Sequence, residues 1–130
     1  MKVVETSFLV DYLNEQSYTL AYLEAHPHTE YVIPTVALYE LYAGALRSTD
    51  SETIGTITDA LEWAEPVMFD DPAAREAADI RSALLDRGEP IPAPDILIAG
   101  VARALEADLI AADDHFSRVP GLDVLTPREE

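Results

Sequence analysis

The chain has no cysteine. That absence excludes disulfides, thiolate zinc sites and cysteine nucleophiles together. Only one of its eight basic residues, Lys2, is a lysine. Its three histidines, His26, His28 and His115, are too few and too scattered for a histidine-rich metal site. No apolar run approaches the roughly 18 residues that span a bilayer. Lys2, Glu5 and Asp11 interrupt what would be the apolar stretch of a signal peptide. The expectation is a cytoplasmic protein with no membrane partner. Any bound metal must then be held by oxygen, which favours Mg²⁺ or Mn²⁺.

What the chain has in excess is acid. Twenty-five Asp and Glu against eight Lys and Arg give a formal net charge of −17 over 130 residues. An acidic surface with Arg in place of Lys points to a cytosol holding molar salt, as in halophilic archaea. A protein this acidic would ordinarily be read as avoiding nucleic acid. At about 1 M salt, however, the Debye length is roughly 3 Å, and repulsion of a phosphate backbone is largely screened. Apolar residues make up 48% of the chain, enough for one packed domain spanning residues 1–130.

Short apolar runs alternate with amphipathic ones. Lys2–Val4 reads as a strand, and a helix starts on Thr6 or Ser7 with Phe8, Leu9, Tyr12 and Leu13 on one face. Tyr18–Ala25 is a second short helix stopped by His26-Pro27. Tyr31–Ile33 is a strand, Pro34 is placed at N1 of the next helix, and Leu38, Leu41, Tyr42, Ala45 and Leu46 keep helical spacing. Ser48–Ser51 breaks that helix, and another runs from Ile54 to Ala64. Pro66–Phe69 is a strand. Asp70 caps a helix with Pro72 at N1 and a stripe of Ala73, Ala77, Ile80 and Leu84. After the stiff Pro90–Pro94 segment, a helix rich in small residues begins at Asp95 and should pack closely. Asp108–Ala112 and Val124–Leu125 are the last strands. This alternation is the signature of a parallel sheet covered on both faces, with its site at the carboxyl ends of the strands.

Four acids fall near such ends: Glu5, Glu40, Asp95 and Asp113. Phosphodiester hydrolysis needs a metal to activate water and to neutralise the transition state. Mg²⁺ accepts a few carboxylates and keeps several waters. Each acid also has a plainer reading. Asp95 could cap its helix. Asp113 and Asp114 could be loop acids and Glu40 a snorkelling surface residue, while Asp11 could form a salt bridge or help shape the site but fits a solvated helix face better. Glu5 is harder to dismiss, because it follows two apolar strand residues. The exposed-looking Tyr18, Tyr22, Tyr39, Tyr42 and Trp63 could stack RNA bases, but at helical spacing they fit a core or a dimer interface better. Arg47, Arg75, Arg81 and Arg103 could grip phosphates, but isolated on helices they fit ordinary ion pairs better.

The joint pattern resembles the PIN-domain family, and within it the VapC-type toxin ribonucleases. The opening Val3-Val4-Glu5-Thr6-Ser7-Phe8-Leu9-Val10-Asp11-Tyr12-Leu13 is similar to the family's first strand and its acid. Ile33-Pro34-Thr35-Val36-Ala37-Leu38-Tyr39-Glu40-Leu41 is similar to the second motif, and Pro94-Asp95-Ile96-Leu97-Ile98-Ala99-Gly100 to the third. Leu109-Ile110-Ala111-Ala112-Asp113-Asp114-His115-Phe116 is similar to the fourth, followed by the tail Val119-Pro120-Gly121-Leu122. The resemblance implies a three-layer α/β/α fold with a short, mostly parallel five-stranded sheet. It implies that Glu5, Glu40, Asp95 and Asp113 hold Mg²⁺ or Mn²⁺, supported by Ser7, Thr6 and Asp114. It implies a metal-dependent endoribonuclease that cuts single-stranded RNA to a 5′-phosphate and a 3′-hydroxyl. Such a toxin is paired with a small antitoxin that plugs the acidic pocket, and the family commonly forms homodimers.

Two positions depart from the pattern. Its first acid is Asp, and here it is Glu5. The added methylene moves the carboxylate by about 1.5 Å, where productive sites tolerate about 0.5 Å. Activity is then weakened, retuned to another metal or lost. Ala111 stands where the fourth motif often has Thr. The alternative reading is therefore a catalytically impaired PIN-like module that binds an antitoxin or RNA without cleaving. A receiver-like phosphoacceptor domain also gathers acids at strand ends, but it needs a late Lys, and the sole Lys is Lys2.

Overall fold

The fold is described from a computed structural model, residues 1–48 and 53–129. The elements in order are β1 (Lys2–Val4), α1 (Thr6–Leu13), α2 (Ser17–Ala25), β2 (Tyr31–Pro34), α3 (Thr35–Arg47), α4 (Ile54–Ala60) and β3 (Glu65–Val67). There follow α5 (Asp71–Asp86), α6 (Ala93–Ala104), β4 (Asp108–Ile110), a 3₁₀ turn (His115–Arg118), β5 (Val124–Leu125) and a last 3₁₀ turn (Pro127–Glu129). Most of the Ser48–Ser51 break lies outside the described residues.

The sheet has the order β3-β2-β1-β4-β5, and all four pairings are parallel. The chain therefore steps outward from β1 to β3, returns across β1 to β4, and steps outward again to β5. Parallel crossovers are right-handed, so α1–α4 cover one face and α5–α6 the other, a three-layer α/β/α arrangement. The strands are short and the three central ones, β2, β1 and β4, are largely buried: Val3, Val4, Val32, Ile33, Leu109 and Ile110 are at most 2% exposed. Central parallel strands, covered on both faces, need such continuous apolar runs. Reversal of the winding beside β1 creates a switch point between β1 and β4, where open α/β sheets leave a crevice at the carboxyl edge.

Several boundaries differ from the sequence expectation. Pro34 is the last residue of β2 and the N-cap of α3, not its N1. It can end a strand because a missing N–H costs least there. Asp70 caps α5 by accepting from the Ala73 N–H at 3.0 Å, but Asp71 takes N1 and Pro72 sits one place later. Helix α4 opens on a Thr53–Thr56 capping box and stops at Ala60, short of Ala64. The following strand is Glu65–Val67, ending before Phe69, and β4 ends at Ile110, before Ala112. Helix α6 starts at Ala93 with Pro92 as N-cap, so Asp95 lies inside the first turn and neither caps nor heads the helix.

The expected stripe on α5 is correct: Ala73, Ala77, Ile80 and Leu84 are all buried. Most of the aromatics turn inward. Trp63 meets Tyr12 and Tyr31 edge-on at 5.2 and 5.5 Å, and Phe8 meets Tyr18 and Tyr22 at 5.9 and 6.2 Å. Tyr39 alone of the proposed stacking residues is freely exposed, at 68%. Arg75 pairs with Asp71, and Arg103 with Glu76 and Asp79, so these two are ordinary ion pairs.

Candidate active site at the carboxyl edge of the sheet

Glu5 directly follows β1 and is the N-cap of α1. Glutamate is uncommon as a cap because Ser, Thr, Asp and Asn reach the first-turn amides with less chain. Here the extra methylene has a use. One carboxylate oxygen, Oε1, accepts from the Phe8 N–H at 3.0 Å, from the Ala112 N–H at 3.2 Å and from the Ser7 hydroxyl. The same side chain therefore caps a helix and ties β1 to the loop after β4, across the switch point. The Ser7 hydroxyl also accepts from the Ala112 N–H, at 3.1 Å.

The other acids join through residues next in sequence to these. Thr6 donates to Glu40 Oε1 at 2.6 Å, bridging α1 to α3. Asp113 is half-buried beside Ala112, in the loop after β4. His115, two residues on, meets Asp95 Oδ2 through Nε2 at 2.8 Å; since a carboxylate can only accept, Nε2 donates. Its ring stacks on Phe116 at 4.7 Å. Helices α3 and α6, which carry Glu40 and Asp95, also touch one another. The four acids thus form one linked series: Glu40 to Thr6 and Glu5, Glu5 to Ala112 and Asp113, and His115 back to Asp95. Asp114 stays outside it, exposed and without a side-chain cap bond to the 3₁₀ turn it precedes.

Linked is not the same as converged. Among the described residues, no three His, Asp or Glu side chains stand together so that they could hold a metal ion as placed. The reason lies in the partners. Glu5 is held by backbone amides and Ser7, Glu40 by Thr6, Asp95 by His115, and Asp113 by Arg128, whose Nη2 is 3.6 Å from Asp113 Oδ1. Each acid has a private donor where a shared cation would be common to all. The donor chemistry, four carboxylates, still suits a hard divalent ion.

Two of these partners have no signal in the sequence, and Asp11 does not lie on the expected solvated helix face: its side chain is 20% exposed and held by Tyr18 and Arg128. His115 lies within the fourth motif, so its nearness to Asp113 was in view, but nothing in the sequence tied it to Asp95. Arg128 and the link from Tyr18 to Asp11 leave no local signal. The Tyr18 hydroxyl donates to Asp11 Oδ2, and burial, with Asp11 beside it, pushes the phenol above its usual range, so it stays a donor.

Burial raises the Glu5 carboxyl above its usual pKa, only partly offset by its hydrogen bonds from Ser7, Phe8 and Ala112. A carboxyl whose folded pKa exceeds its unfolded value stabilises the fold fully below the unfolded pKa and loses that contribution as pH rises through the folded one. Glu5→Gln keeps an acceptor for the two amides and removes the charge. Its Tm, relative to the natural chain, should therefore gain more at about pH 8 than at about pH 4. Equal Tm differences at both pH values would show that Glu5 ionisation is not linked to folding.

A cavity of about 150 Å³ adjoins Glu40 alone of the four acids, lined also by Thr6, Val10, Leu13, Leu41 and Ile57 among others. A larger hollow of about 510 Å³ lies at the amino end of β4, around Arg103, Asp108 and Asp123, far along the strands from the acids. Its size is no guide to the chemistry: none of the four acids lines it, and its Glu76 and Asp79 are paired with Arg103.

Solved structures share this architecture. The chain is 25% identical to one in the VapBC2 complex of Rickettsia felis bound to a promoter DNA fragment, with a TM-score of 0.88 over 95% of this chain and 96% of that one. It is 22% identical to a chain of VapBC-1 from nontypeable Haemophilus influenzae, with a TM-score of 0.85 over 97% of each. A chain of VapBC-5, a toxin–antitoxin system of Mycobacterium tuberculosis, is 25% identical with a TM-score of 0.73 over 95% of this chain and 96% of that one. No curated protein matches the chain. The family match is to the PIN domain and runs from residue 2 to residue 122, through all four acids, so the chain belongs to the PIN-domain family.

Proposed function

We propose that the chain is a metal-dependent endoribonuclease acting on single-stranded RNA, and that it serves as the toxin of a toxin–antitoxin pair. The observation that carries the reading is the linked series of Glu5, Glu40, Asp95 and Asp113 at the switch point of a PIN domain. Its likeness to chains from toxin–antitoxin complexes supports the pairing with a small antitoxin. Glu5, Glu40, Asp95 and Asp113 would hold Mg²⁺ or Mn²⁺, with Thr6 and Ser7 supplying hydroxyls. The ion would supply Lewis-acid neutralisation of the scissile phosphate and activation of the attacking water. Thr6 and His115 orient Glu40 and Asp95, as outer hydrogen bonds commonly orient metal-binding side chains. The Tyr39 face of α3 is a candidate homodimer surface, and the Lys-poor acidic surface fits a high-salt cytosol.

One observation favours a second reading. The Oε1 atom of Glu5 is fully engaged as a helix cap, which fits a PIN domain that binds RNA or an antitoxin without cutting. One experiment separates the two. Purified natural chain and Glu5→Asp are given single-stranded RNA in molar salt with Mg²⁺, Mn²⁺ or EDTA. The nuclease reading expects both to cleave with a divalent ion and neither in EDTA. Cleavage by Glu5→Asp alone would establish the impaired reading. Cleavage that persists in EDTA would remove the metal from the proposal.

A further inference from the structure

The last 3₁₀ turn brings one arginine to the acids. In the parallel register Ile110 pairs with Leu125. Asp113 and Arg128 each lie three residues beyond that pair and emerge side by side at the carboxyl edge. The turn is held in place from several sides. The Ala111 N–H donates to the Leu125 carbonyl at 2.9 Å, Pro127 is buried, and the turn packs against α2. Arg128 Nη1 lies 3.6 Å from Asp11 Oδ2, the atom that already accepts from Tyr18, and Nη2 lies 3.6 Å from Asp113 Oδ1.

At 3.6 Å these are ion pairs and not hydrogen bonds, so the guanidinium is near both acids and committed to neither. Its side chain is 49% exposed. Arg103 is the contrast: it is 16% exposed, hydrogen-bonded at 2.6 and 2.8 Å to two carboxylates and at 3.0 Å to the Pro120 carbonyl. Among the described residues, Arg128 is the one Lys or Arg ion-paired with any of the four acids. It also lies beyond residues 2–122, the part that matches the family. A planar guanidinium that rests beside a carboxylate is equally suited to a phosphate. A divalent ion arriving at Asp113 would weaken that ion pair, while Asp11, fixed by Tyr18, would keep the arginine at the rim.

Resting on the nuclease reading above, we propose that Arg128 is a positioning residue that serves as the counter-ion of Asp113 in the resting site and passes to a backbone phosphate of the RNA when a divalent ion takes that acid. In a chain with eight basic residues it is the cation placed to offset the repulsion between four carboxylates and a polyanion.

The test compares the natural chain with Arg128→Gln and Arg128→Lys in two binding measurements that need no turnover. Mn²⁺ is titrated without RNA. A labelled single-stranded oligoribonucleotide is then titrated in Ca²⁺ at several salt concentrations. Arg128→Gln should bind Mn²⁺ several-fold more tightly, because a competing cation is gone. It should bind RNA about five- to tenfold more weakly, with the slope of log K against log salt shallower by about 0.7, one phosphate contact on a single strand. Arg128→Lys should recover part of the RNA affinity. Unchanged Mn²⁺ and RNA affinities in Arg128→Gln, with Mn²⁺ bound by the natural chain, would overturn the role of Arg128 and leave the nuclease reading standing. A natural chain that binds neither Mn²⁺ nor RNA would overturn both. Weaker binding of both, with a lowered Tm, would mean that Arg128 only braces the turn.

Discussion

Asp95→Asn is expected to lower the rate of RNA cleavage by about 10²-fold or more, to the level of the EDTA control, with the fold unchanged. The substitution replaces one oxygen by a neutral amide and keeps the shape. The Asn carbonyl can still accept from His115 Nε2, so the α6-to-loop contact survives. What is lost is a negative charge in a group that supplies metal affinity through charge. An ion that neutralises a phosphoryl transition state contributes several kcal/mol, and about 2.7 kcal/mol of that already amounts to 10²-fold. Asp95 is the best acid to test for two reasons. Its carboxylate is not the cap of α6, whose N-cap is Pro92, so stability should not fall with activity. It is also not tied to backbone amides, as Glu5 is. Rates and melting curves measured on the same preparation decide the matter: a variant that cleaves at more than about a tenth of the natural rate removes Asp95 from the site.

Gly100→Val should cost about 3 kcal/mol of stability and lower Tm by roughly 10 °C. The cause is backbone contact between helices. A Cβ at position 100 would stand 2.7 Å from the Ala73 carbonyl oxygen, 2.8 Å from the Ala77 Cβ and 2.9 Å from the Ala77 nitrogen. None of these atoms can rotate away, so α5 and α6 must separate. Even Gly100→Ala, which gains about 1 kcal/mol of helix propensity, should be net destabilising. Gly44 in α3 provides the opposite case, since a Cβ there meets nothing within 4 Å. Gly44→Ala should stabilise by a few tenths to about 1 kcal/mol. Denaturant melts of the three variants test the packing directly. A Gly100→Ala chain as stable as the natural one would mean that α5 moves aside at no cost.

Much of this was legible in the sequence where one element decides its own conformation. Val3-Val4 and Leu109-Ile110 are apolar runs that only a doubly covered strand accommodates, and Ala73, Ala77, Ile80 and Leu84 keep a period that only a helix has. The small residues of α6 foretold close packing, and Gly100 against Ala73 and Ala77 is its physical form. Boundaries fared worse where proline is involved. Pro34, Pro72 and Pro94 each fit several positions around a helix start, and tertiary packing chooses among them. The four acids could be named from their motifs: Glu5 and Asp113 follow strands, Asp95 lies in the first turn of α6 and Glu40 lies inside α3. Their partners could not. His115 reaches Asp95 from another element, and Arg128 reaches Asp113 because of a strand register set by β4 and β5. The role of Glu5 as both cap and tie lay beyond the sequence for the same reason, since its second amide donor belongs to Ala112.

The bond from the Ala112 amide to Glu5 spans nearly the whole chain, and β1, between β2 and β4, waits on both. Pairings of such long range form late and slowly, because loop-closure entropy must be met before they contribute. On the ribosome, β1 emerges before the other strands of the sheet and must remain without its β4 neighbour until residue 110 and its surroundings have left the exit tunnel. Until then Glu5 has no Ala112, Asp95 no His115 and Asp113 no Arg128. A nascent chain therefore carries its acids dispersed, and any activity they share begins only after β4, β5 and the turn that carries Arg128 have been made. The strand order acts as a timer: the links among the acids wait for the last two strands of the sheet.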